Sequence, residues 1–314
     1  MLRKYALFIG VAALGAVVTS CGSDSTGTPT PTPTDTSTAT PTPTPTPTTV
    51  TYSLSQDFAT ESTNANYAFA YFTADSGGDE TFSGASRLNG GATIDFAVSP
   101  EMVSFGFPDL DDPVSFDDTE LVSESATERS YERGTEKLLM ELPFAHVLRV
   151  SYESQADFTR DTTDGTLRGQ RVSIFFNRVT TEDAIAADVT YSGSVQVVGG
   201  DPATTLSGVI SAPDTSFLVD ASANNITGTI EIFEDVSGTP TLVATIPFTA
   251  TLNTNGTFSG ALEDAANNLD GGFAGALSGP DREEVFIIFS VSGNADGNDS
   301  TDDRRYVGSF IGQP

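Results

Sequence analysis

Three stretches in the last third of the chain repeat one phrase: Gly256-Thr257-Phe258-Ser259-Gly260-Ala261-Leu262, Gly271-Gly272-Phe273-Ala274-Gly275-Ala276-Leu277-Ser278-Gly279-Pro280 and Tyr306-Val307-Gly308-Ser309-Phe310-Ile311-Gly312. In each, an aromatic or aliphatic side chain stands two or three residues from a glycine. Large and absent side chains therefore alternate with the period-2 geometry of a strand. A small β-barrel is written this way, with inward aromatics filling the lumen and glycines letting the strands bend and coil.

The same reading extends upstream. From Ala184 to Pro314, strands are expected at Asp188–Val198, Thr205–Ala212, Ser216–Asp220, Asn225–Glu234, Thr241–Leu252, Gly256–Leu262, Gly271–Leu277, Glu283–Ser292 and Arg304–Ile311. About eight strands over this length suit an antiparallel up-and-down barrel. Ile246-Pro247-Phe248 places a proline inside one of them, which implies an edge, a bulge or a corner. Between Val50 and Asp183, alternating runs at Ala68–Phe72, Ala92–Val98, Lys137–Leu142, Val147–Tyr152 and Arg171–Phe176 also argue for strands. Gly77-Gly78-Asp79 and Asn89-Gly90-Gly91 read as hairpin turns, and Asp161-Thr162-Thr163-Asp164-Gly165 as a turn. Glu120–Lys137 is charged on all sides and is expected to be a loop or surface ribbon.

The N-terminus has a different character. Met1–Tyr5 is a short basic start, and Ala6–Val18 is an apolar run the length of a signal-peptide core, too short to cross a bilayer comfortably. Val18-Thr19-Ser20-Cys21 resembles a bacterial lipobox. That resemblance implies cleavage of residues 1–20 and a diacylglycerol on the sulfur of Cys21, an anchor and not a nucleophile. Gly22 in the second mature position, where an Asp would retain the protein in the inner membrane, points to lipid anchoring at the outer membrane. Each buried acyl CH₂ contributes about 0.8 kcal/mol to such attachment. Gly22–Thr49 is dominated by Thr-Pro dipeptides, so residues 21–49 are expected to form an extended polyproline-II spacer at about 3.1 Å per residue.

Charge and chemistry narrow the function. The chain carries 14 Lys+Arg against 43 Asp+Glu, a net charge of −29. Such a surface repels phosphate backbones, so no nucleic-acid partner is expected. With one cysteine, no disulfide can form within a monomer. The single histidine, His146, lies in an apolar run and reads as a core or hinge residue. No Gly-x-Ser-x-Gly elbow accompanies it, so a catalytic site has little support and no enzyme is expected. Hard oxygens cluster at Asp109, Asp111 and Asp112 with Asp117 and Asp118, and again at Asp296, Asp299, Asp302 and Asp303. Neither run has the spacing and terminal Glu of an EF-hand. No metal site and no cofactor are expected, and these aspartates are the candidate ligand-contacting loops.

The run Gly272-Phe273-Ala274-Gly275-Ala276-Leu277-Ser278-Gly279-Pro280-Asp281-Arg282-Glu283-Glu284-Val285-Phe286, closed by Val307–Gly312, resembles the C-terminal barrel of the transferrin-binding protein B-like surface lipoproteins. Those proteins commonly show a strand, Gly-Pro, a short acidic turn containing Glu, and a returning strand ending in Gly and Phe. This chain lacks the Gly-Gly pair often found after the Glu, and Glu284 runs straight into Val285-Phe286-Ile287-Ile288. The resemblance implies an all-β chain in which a smaller handle-like β-domain, residues 50–183, precedes a barrel at residues 184–314. It also implies a non-catalytic binding module that presents loops to a host or environmental protein or a small solute, iron and haem carriers among them. The alternative is a structural or envelope lipoprotein without a small ligand, which the scarcity of aromatics in the acidic loops favours.

Overall fold

The computed structural model describes residues 51–202, 209–293 and 304–314. Cys21 and the loop residues Asp296, Asp299, Asp302 and Asp303 lie outside the described residues. The first half supplies β1 (Phe58–Thr63), β2 (Asn66–Ala74), β3 (Thr81–Leu88), β4 (Gly91–Val98), β5 (Glu101–Gly106), β6 (Val114–Asp117), β7 (Leu121–Glu124), β8 (Glu128–Arg133), β9 (Glu136–Glu141), β10 (Val147–Arg160) and β11 (Thr163–Phe176). The second supplies β12 (Val189–Gly200), β13 (Val209–Ser211), β14 (Thr215–Asp220), β15 (Asn225–Val236), β16 (Thr239–Thr251), β17 (Thr257–Asp264), β18 (Leu269–Ser278), β19 (Glu284–Gly293) and β20 (Arg304–Gln313). Apart from one 3-10 turn at Asp118–Glu120, no helix occurs among the described residues. The protein is all-β, and every strand pair among the described residues is antiparallel.

β1 to β11 form two sheets, in the orders β1-β4-β5-β6 and β3-β2-β11-β10-β9-β8-β7. They share a core in which Phe96, Phe105 and Phe116 from the small sheet meet Tyr131, Leu138, Met140 and Leu148 from the large one. Two expectations are corrected here. Asn89-Gly90-Gly91 does not close a hairpin: β3 belongs to the large sheet and β4 to the small one, so these residues carry the chain between sheets. Glu120–Lys137 is not merely a charged surface ribbon, because it holds β7 and β8 and buries Tyr131 and Arg129 within them. Their alternation is hidden in the sequence because one inward residue is itself a cation.

The third sheet runs β17-β18-β19-β20-β12-β14-β15-β16, with β13 added beside the end of β15. Its last strand returns alongside its first, making an eight-stranded up-and-down barrel. At the β16–β17 seam, the Thr245 amide donates to the Asp264 carboxylate at 2.7 Å. Pro247 belongs to β16, whose ladder partner is β15 alone, which suits a residue with no N–H to give.

Register explains the glycine–aromatic phrase. Phe258 faces Gly275 across the β17–β18 pair, and Gly260 faces Phe273. A Cβ on Gly260 would stand 2.8 Å from the Phe273 ring, and one on Gly275 would stand 2.6 Å from the Phe258 ring. Each ring lies over the bare backbone of its cross-strand partner, so the lumen fills in layers. Phe248 meets Phe273 at 4.9 Å and Phe217 meets Phe310 at 4.2 Å between ring centroids. The lumen is thus a packed core, not a container.

β19 is buried on both faces. Val285, Ile287 and Phe289 point into the lumen cluster, while Phe286 and Ile288 join Val307 and Ile311 against Tyr67, Phe82 and Ile174 of the large sheet. A strand covered on both sides reads as a continuous apolar run instead of an alternating one. That is the physical reason Glu284 passes directly into Val285-Phe286-Ile287-Ile288.

Candidate functional site

The large sheet leans against the outer barrel wall along β19 and β20 and parts from it farther out. Between them opens a cleft of about 490 Å³. A row of directly paired residues crosses its floor: Tyr67, Val172, Ser151 and Leu139 on β2, β11, β10 and β9. The opposite wall comes from Gln196 and Val198 on β12 and Val307 on β20, and Ser211 lies at the rim.

Beside that row, Arg149 and Glu141 face each other across β10 and β9. Their pairing is bidentate: Nε donates to Oε2 at 2.9 Å and Nη2 to Oε1 at 2.8 Å. Arg149 is only 7% exposed, so this charge is tolerated because the carboxylate neutralises it with matched geometry. The Tyr67 hydroxyl shares a hydrogen bond with Ser309 at 3.3 Å, and burial holds it above the ordinary phenol range. The amides of Gln170 and Gln196 and the hydroxyl of Ser151 also face the space. The cleft is therefore apolar in its walls, electroneutral at its floor and supplied with a few neutral donors and acceptors. This is the usual make-up of a small-molecule site.

The two walls are tied together beside the acidic turn noted in the sequence, where β18 and β19 meet the segments next to β10 and β11. Both oxygens of Glu284 accept from the backbone N–H of His146, at 2.9 and 3.0 Å. Ser278 Oγ donates to the carbonyl of His146 at 2.9 Å and also lies 3.0 Å from that of Asn177, and the Gly279 amide donates to the Asn177 carbonyl at 2.9 Å. His146 is thus a junction residue, as a hinge reading expects. The carboxylate nearest to it serves its main chain, while its Nδ1 meets the Asn177 side-chain amide at 3.2 Å.

Glu284 is 3% exposed, and burial raises its carboxyl above the ordinary value while the amides of His146 and Ala145 pull it down. A raised folded-state value means that the folded protein binds the proton more readily than the unfolded chain does. The burial cost is felt fully above that raised value and is relieved as pH falls towards 4.5, the ordinary value. Urea unfolding of wild type and Glu284→Gln, compared at pH 7 and pH 4.5, is expected to show wild type gaining on the variant as pH falls. The opposite slope would mean that the amide hydrogen bonds outweigh burial.

The aspartates singled out in the sequence are placed as follows. Asp109 pairs with Arg171 through two bonds of 2.7 and 2.9 Å. Asp111 and Asp112 are exposed on the β5–β6 loop. Asp117 caps the 3-10 turn, accepting from the Thr119 amide at 2.9 Å while its own N–H donates to Glu120 at 3.1 Å. The Thr119 bonds hold its carboxyl below the ordinary range. Asp118 is exposed in that turn. The two runs lie at opposite ends of β6 and do not converge, and no group of His, Cys, Asp or Glu among the described residues could hold a metal ion. The cleft residues escaped the sequence reading. One signal was present: Arg149 interrupts the apolar run Val147-Leu148-Arg149-Val150, and a charge inside a buried strand needs a partner.

No helix among the described residues is long and apolar enough to cross a membrane, which does not bear on strands. No protein-family model and no curated protein matches the sequence. Among solved structures, the chain is similar to the vaccine antigen transferrin binding protein B from Haemophilus parasuis Hp5. A tryptophan-to-alanine mutant of that protein aligns at 12% identity over 82% of this chain and 61% of that one, with a TM-score of 0.37. A double mutant, with a tyrosine and a tryptophan each replaced by alanine, aligns at 12% identity over 82% and 60%, with a TM-score of 0.38. This chain therefore spans less than two thirds of the length of those proteins.

Proposed function

We propose that this chain is a non-catalytic binding module, held at the outer membrane by a lipid on Cys21, that carries a small amphipathic solute in the cleft between the large sheet and the barrel wall. The observation that carries this reading is the contrast between the two concave spaces. The barrel lumen is filled by its own aromatics, while the 490 Å³ cleft is open and lined by apolar walls with unused neutral polar groups. Because Glu141 already neutralises Arg149, the cleft favours an uncharged polar head over a carboxylate. The Thr-Pro spacer would lift the module clear of the bilayer.

The test is native mass spectrometry of the full-length protein extracted from its own envelope. A bound small mass is expected in wild type and in a Ser259→Trp control on the far wall. It should be lost in Gln196→Trp, which puts an indole into the cleft from an exposed position. In the same preparation, Cys21→Ser is expected to shift the protein from the membrane to the soluble fraction. A bound mass indifferent to Gln196→Trp would refute the cleft, and the absence of any bound mass would favour a structural envelope role. Sedimentation of Cys21→Ser with membranes would sink the anchor.

A further inference from the structure

A second concavity, of about 360 Å³, lies where β3 passes the upper end of β20. Its floor is made of small residues, among them Ala68, Ala70, Gly84 and Gly169, so a ligand could approach the backbone closely. Two arginines border it, and they differ. Arg171 is neutralised by Asp109 through the bidentate pair described above. Arg305 has no carboxylate partner among the described residues, although its neighbour Arg304 pairs with Asp201 at 3.0 Å. The Arg305 guanidinium lies against β3, with Nη1 4.0 Å from where a Cβ on Gly84 would stand. The hydroxyls of Ser83 and Ser86 and the amide of Gln170 line the same groove and make no side-chain hydrogen bond within the described residues.

Among the described residues, Arg305 is one of five arginines without a carboxylate partner, with Arg87, Arg160, Arg178 and Arg282, and it is the one of these that borders the groove. Beside it stand neutral donors with no internal use. A planar fork flanked by hydroxyls and an amide is a recognition surface for a carboxylate on a hydroxylated body. The surrounding negative field penalises a dianion more than a monoanion, which disfavours phosphate. We infer that this groove is a second binding site, for a small monocarboxylate bearing hydroxyl groups, such as an acidic sugar, held by Arg305 with Ser83, Ser86 and Gln170. This inference does not depend on the solute proposed for the cleft: Gln170 borders both spaces, but Arg305, Ser83 and Ser86 border the groove alone.

Saturation-transfer NMR on the full-length protein would test it, with glucuronate as the probe, glucose as its neutral counterpart and inorganic phosphate as the competing anion. Saturable binding of glucuronate is expected, with glucose and phosphate at least tenfold weaker. Arg305→Gln should weaken glucuronate binding at least tenfold, since a charge-assisted pair is lost. Gln196→Trp, which blocks the other cleft, should leave glucuronate binding unchanged, so failure of one site is distinguishable from failure of the other. Arg305 is half-buried at a barrel rim, and retention of the wild-type unfolding midpoint would show that Arg305→Gln folds. Equal binding by Arg305→Gln, a preference for phosphate, or no saturable response to glucuronate would each overturn the site.

Discussion

Replacing Arg129 by alanine is expected to cost about 3–5 kcal/mol of folding free energy, the range for breaking one partner out of a buried ionic cluster. Arg129 is 8% exposed and connects three segments that are distant in sequence. Its Nη1 meets Glu101 of β5 at 2.7 Å, and its Nε and Nη2 donate to the carbonyl of Leu54 at 3.2 and 3.0 Å. Its guanidinium carbon lies 5.3 Å from the centre of the Phe96 ring. Tyr131, two residues on, donates to the other oxygen of Glu101 at 2.7 Å. Without the cation, Glu101 is left as a nearly buried charge with only a phenol for company, and the Leu54 carbonyl loses its donors. Equilibrium urea unfolding measures the loss. Arg133→Ala is the matched control: its side chain is 46% exposed, and surface pairs of this kind contribute about 1 kcal/mol or less. A cost for Arg129→Ala no larger than that of Arg133→Ala would mean the cluster does not hold the two sheets together.

Arg129 also marks where the sequence stopped being readable. Glu120–Lys137 carries eight charged side chains among its eighteen residues, and charge normally signals solvent. Only register shows that Arg129 and Tyr131 share the inward face of β8, with the cation satisfied by residues far away along the chain. The barrel was readable for the opposite reason. On β17 and β18 the inward positions are Phe, Leu and Gly and many outward ones are small or polar, so period-2 alternation survives in the string, whereas β19, covered on both faces, was readable as a continuous apolar run. What the string could not show is pairing: Phe258 over Gly275 and Phe273 over Gly260 emerge only when β17 and β18 are in register. The same limit hid the cleft, whose walls come from β2, β9, β10 and β11 on one side and β12 and β20 on the other. Sequence reasoning favoured acidic loops because acid clusters are visible locally. The described ones serve as an ion-pair partner, a cap and exposed loop positions.

Phe273→Ala tests the claim on which the functional reading turns, that the lumen is core and the solute belongs outside it. Phe273 is 1% exposed and packs on Phe248 at 4.9 Å and Phe258 at 6.3 Å. Removing a buried phenylalanine costs about 3–5 kcal/mol, through lost transfer energy and an unfilled cavity. The site has little room to collapse, because its cross-strand partner Gly260 has no side chain to move in and the neighbouring Phe258 ring is seated over Gly275. The variant should therefore keep an apolar hole in the middle of the barrel. Such holes stay dry and take up benzene or xenon. The expected result is a large loss of stability in urea, partly restored by benzene, with the native envelope solute still bound in the cleft. If Phe273→Ala instead released that solute while costing under about 1 kcal/mol, the lumen would be loosely packed and in contact with the ligand. The glycine–aromatic phrase would then describe a binding cavity instead of a core.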